Sequence, residues 1–129
     1  MASAQQAEEL PPGPTADKLI ECASAHTQNI QLLEAAKQDA KPLYPTLGYF
    51  KMAGEAYSSK AYAAQKFQES RAALTAKMDS AFAEPEVARR FAIEIFARDL
   101  DAQLAECTRF QRANVAAIRA RLVSSGLIK

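Results

Sequence analysis

The residues able to do chemistry in this chain are few and scattered. His26 is the single histidine, so there is no second imidazole, and no cysteine or carboxylate cluster stands beside it to complete a relay or a metal site. It falls on the apolar seam of a helical pattern between Ala23 and Ile30, where a partly buried ring with a satisfied nitrogen is expected. Ser58 and Ser59 have no positioned base. Asp99 and Asp101 point to different faces of a helix and are expected to be solvated. Only four glycines occur, and none forms a phosphate loop. Cys22 and Cys107 are too few and too far apart for a zinc motif or a disulfide scaffold, and are expected as free core thiols. No catalytic, cofactor-binding or metal-binding constellation emerges, and the chain is expected not to be an enzyme.

The elements that carry these residues are helical. With 129 residues, 49% hydrophobic and 24% charged, the chain has one domain's worth of core. A net charge of +1 gives no global field to favour nucleic acid or a membrane surface, and no apolar run approaches the ~20 residues that span a bilayer. The N-terminal residues carry Glu8 and Glu9 and no arginine, so neither a signal nor a transit peptide is expected. A reducing cytoplasmic setting follows as the default.

Residues 1–14 end in Pro-Pro-Gly-Pro and read as a flexible, proline-rich arm. A first helix is expected over about 15–41, N-capped by Thr15, with Asp17 in its first turn and Pro42 and Pro45 beyond its end. A second spans about 47–83 with a near-heptad seam from Phe50 through Tyr57, Ala64, Phe67 and Leu74 to Ala81, interrupted by Lys60 and Arg71. Ala61, Ala63 and Ala64 make its middle thin. A third, about 85–123, starts at Pro85 and stops at Ser124-Ser125-Gly126-Leu127, with glycine in the left-handed position. There is no strand signal and no internal repeat. The expected fold is all-α, an up-down-up antiparallel three-helix bundle over residues 15–129 with coiled-coil-like packing.

Lengths sharpen that picture. At about 1.5 Å per residue, helices two and three each span roughly 55–60 Å and helix one roughly 37–40 Å. Helix one then leaves the far end of the hairpin uncovered. That end is apolar: Leu74, Met78, Phe82, Val87, Phe91, Ile95 and Phe96 are the expected partner-binding residues, for a second copy or another protein. The same rise puts Cys22 and Cys107 at similar heights on neighbouring parallel helices. Along the third helix, charge is polarised. Six acids lie between Glu84 and Glu106, whereas the segment from Cys107 to Lys129 carries Arg109, Arg112, Arg119 and Arg121 and no acid. These four arginines form the expected patch for an acidic partner; nucleic acid would ask for more charge and for stacking aromatics.

Four resemblances bear on function. Ala25-His26-Thr27 is similar to the start of the active motif of histidine phosphotransfer bundles, which implies a phosphorelay histidine. The chain departs from it at Gln28 and Asn29, where those domains carry a lysine and a glycine. Leu43-Tyr44-Pro45-Thr46-Leu47 resembles the LYPxL short motif that engages an ESCRT adaptor, and also the tyrosine-x-x-hydrophobic sorting pattern. Either would require an extended, accessible peptide, whereas packing of Leu43, Tyr44 and Leu47 on the end of the bundle is the expected outcome. The alanine-rich, tryptophan-free helical composition is similar to that of granule-coating phasins. The leading expectation is a non-enzymatic interaction or scaffold subunit, with a phasin-like coat protein or a small phosphotransfer bundle as alternatives.

Overall fold

The computed structural model describes residues 14–129, so the expected N-terminal arm lies almost wholly outside the described residues. Those residues form five helices and no strand: α1 Pro14–Ala35, α2 Tyr44–Ala56, α3 Lys60–Phe82, α4 Glu86–Ala113 and α5 Val115–Ser124, with a 3-10 turn over Lys41–Leu43 ahead of α2. The all-α expectation holds. The three expected helices are corrected to five, and each difference has a local cause.

The first helix ends at Ala35, not near Lys41. Lys37 adopts a left-handed backbone (φ 61°), and the Gln38 N–H donates to the Leu33 carbonyl at 2.9 Å, closing the last turn. Pro42 and Pro45 therefore do not stop α1; they occupy the first turns of the elements that follow, where a missing N–H is harmless. The expected second helix breaks at Tyr57-Ser58-Ser59. The Ser58 hydroxyl donates to the Gly54 carbonyl at 2.6 Å, and Ser59, in extended conformation, accepts from the Tyr62 N–H at 3.0 Å as the N-cap of α3. The turn between α3 and α4 is tight as expected, but Pro85 precedes the helix as its N-cap and does not open it. The third helix breaks at Asn114, whose side-chain amide donates to the Phe110 carbonyl at 2.9 Å. Gly126 takes its left-handed conformation (φ 78°), and the Leu127 N–H donates to the Leu122 carbonyl at 3.0 Å.

The break at residues 57–59 changes the topology. Along α1 and α2 the contacts run in opposite senses: His26 stacks on Phe50, with ring centroids 5.4 Å apart, and Ile20 meets Gly54. The chain then reverses, so α3 runs alongside α1 in the same sense. Asp17 accepts from the Tyr62 hydroxyl, Glu21 faces Lys66 at 3.7 Å, and Gln28 and Gln31 accept from Arg71. The expected three-helix bundle, with one unbroken helix over 47–83, does not describe this arrangement, because the second and third helices each split in two. Arg71, which interrupts the expected seam, is thus accounted for by two amides of α1, and Lys60 is simply the exposed first residue of α3.

The core gathers Leu19, Cys22 and Ala23 of α1, Phe50 and Ala53 of α2, Cys107 of α4, and Ile118 and Leu122 of α5. Cys22 and Cys107 meet as a disulfide, with Cα atoms 5.7 Å apart, on helices that run in opposite senses and not on the parallel pair expected. This corrects the free-thiol expectation and removes the ground on which a reducing compartment was inferred. No helix among the described residues is long and apolar enough to cross a membrane.

Candidate interaction surface

The hairpin of α3 and α4 extends beyond this core. Ala81 is buried at the contact between the two helices, and small side chains there let them approach. Around it, Phe82 is 51% exposed, Val87 95%, Phe91 65% and Ile95 39%. Val87, Phe91 and Ile95 follow one another at four-residue spacing and form a stripe along one side of α4. Phe82 lies one turn beyond Met78 on α3. Leu74, Ile95 and Phe96 line a groove of about 390 Å³ between the helices, floored by Ala81, Ala92 and Leu100, with Lys77 and Asp99 among its polar lining.

The expected residues therefore divide into two adjoining features, an exposed stripe and a half-buried groove. Met78 belongs to neither. Its sulfur accepts from the Gln28 amide at 3.0 Å, so α1 reaches further along α3 than the length estimate allowed. The reason is the break at 57–59, which starts α3 beside the N-terminal half of α1.

The four arginines stand in different settings. Arg121 lies 4.6 Å from the centre of the Tyr57 ring and its guanidinium reaches the Ala56 carbonyl at 3.5 Å, closing the C-terminus of α2. Arg112 lines a groove with His26, while Arg109 and Arg119 are exposed. His26 is 8% exposed and neither ring nitrogen has a hydrogen-bond partner among the described residues; burial lowers its pKa from 6.5. This corrects the expected satisfied nitrogen; the ring borders the groove, but both of its nitrogens are buried.

Residues 43–47 are not an extended peptide. Tyr44 is the first residue of α2, and its hydroxyl donates to the Glu34 carboxylate, a bond that raises the phenol pKa. Leu47 packs against the core. Tyr44 remains 48% exposed, but the helical backbone does not present the extended form that the short motifs require.

Among the described residues no group of three or more His, Cys, Asp or Glu side chains could hold a metal. No family model, curated protein or solved structure matches the chain.

Proposed function

We propose that this protein is a non-enzymatic interaction or scaffold subunit that docks through the tip of the α3–α4 hairpin onto a protein partner or a second copy. The observation that carries this reading is the exposure of Phe82, Val87, Phe91 and Ile95 together at one end of the molecule. Full burial of such a side chain is worth about 1.5–3 kcal/mol, so a partner that covers the stripe gains a driving force that the isolated chain forgoes. The adjoining groove gives that partner a place for its own apolar side chains.

The test is mass by light scattering, combined with binding of an apolar dye. The expected result is an assembly, or a monomer whose tip binds the dye, and loss of either in the Phe91→Glu, Ile95→Glu double variant with helicity unchanged. A monomer that ignores the dye sinks the reading. A phasin-like coat would use the same exposed stripe on a lipid or polyester surface, and a flotation assay separates it from protein docking. The buried ring of His26 favours no phosphorelay.

A further inference from the structure

The alanines that thin α3 leave space beside α1 and α2. A pocket of about 370 Å³ opens there, within the size range of small-molecule sites. Its apolar wall is Ile20 and Ala23 of α1 with Ala63 and Phe67 of α3. Lys51 and Glu55, one turn apart on α2, also line it. The Lys51 ammonium lies 4.9 Å from the centre of the Phe67 ring. Four-residue spacing on a helix normally lets opposite charges meet, yet Lys51 and Glu55 form no ion pair with each other or with any other described residue.

An apolar pocket lined by one unpaired cation and one unpaired anion selects for a ligand with the complementary pair of charges on an apolar body. We propose that this pocket binds a free α-amino acid with an apolar side chain. The side chain lies against Phe67, Ile20 and Ala63. The carboxylate meets the Lys51 ammonium, and the α-ammonium meets the Glu55 carboxylate. A plain carboxylic acid satisfies only Lys51 and faces Glu55 with like charge; a plain amine does the reverse. The site is independent of the hairpin tip.

Isothermal titration with L-phenylalanine, 3-phenylpropionate and phenethylamine tests this directly. The expected result is saturable binding of one phenylalanine per chain, with the acid and the amine each weaker by about tenfold or more, the effect of losing one charge-assisted hydrogen bond. Lys51→Met and Glu55→Gln should each weaken phenylalanine binding by a similar factor. Neither side chain is buried, so both variants are expected to keep their helicity by circular dichroism. Three outcomes overturn the proposal: no saturable heat from phenylalanine at about 10 mM, equal affinity for all three ligands, or unchanged affinity in both variants.

Discussion

Breaking the Cys22–Cys107 bond should remove a large share of the stability of this fold. The two residues are 85 positions apart in sequence, so the bond closes most of the described chain into one loop. In the chain-entropy treatment, a loop of that length restricts the unfolded state by about 4.5 kcal/mol at 25 °C. Spread over an unfolding entropy of about 2.1 cal/mol/K per residue, this is a fall in melting temperature of roughly 17 °C. The clean comparison is wild-type protein before and after reduction in denaturant and refolding with reductant present, because no atom of the core is then removed. Cys22→Ala with Cys107→Ala should reproduce the loss, with an added packing penalty, since both side chains are buried. Urea denaturation followed by circular dichroism reads the change. A thiol-reactive dye applied to denatured, unreduced protein should find no free thiol. Equal midpoints for oxidised and reduced protein, or two reactive thiols in the unreduced sample, would refute the reasoning.

Two further outcomes follow from particular contacts. At Gly54 an added Cβ would meet Ile20 Cγ1 at 2.6 Å, whereas nothing lies within 4 Å of one at Gly48. Gly48→Ala should therefore stabilise α2 by about 0.5–1 kcal/mol, while Gly54→Ala should destabilise, because about 1–3 kcal/mol of overpacking outweighs the same gain in propensity; chemical denaturation of the pair checks the opposite signs. Stability should also depend on the charge of His26. Burial holds its folded pKa below the 6.5 of the unfolded chain, so the unfolded state takes up the proton first. The stabilising contribution of the neutral ring is fully present above pH 6.5 and is lost as pH falls from there to the folded pKa. His26→Phe should flatten the denaturation midpoint across that window. Protonation of Glu106, whose pKa is lowered from 4.5 by its hydrogen bond to Lys18, should act only at lower pH.

The seams of apolar residues were legible because period and composition express which faces are buried, and they locate Ala23, Phe50 and Cys107 correctly in the core. The breaks were not. Ser58-Ser59 and Asn114 interrupt long helical patterns with side-chain bonds to backbone groups, a competition that polar residues can win or lose without changing the hydrophobic period. Lys37 ends α1 in a conformation ordinarily taken by glycine or asparagine. Each missed break shifts the register of everything after it, which is why Met78 was expected at an open end and lies against Gln28. Phe82, Val87, Phe91 and Ile95 are exposed all the same, although the helix lengths from which an open end was expected were wrong. Lys51, Glu55 and Phe67 come from two helices the sequence pattern had merged into one, so no spacing along the chain could have paired them.

The disulfide and the buried core lie at one end of α4, around Cys107, while Phe91 stands 16 residues away, about 24 Å along the helix axis. The molecule is thus a root and a short protruding arm, the part of the α3–α4 hairpin beyond the Gln28–Met78 contact. Substitutions on the arm touch little that the root depends on, so its surface can drift, or be redesigned, at small cost to folding. One root could carry many different tips.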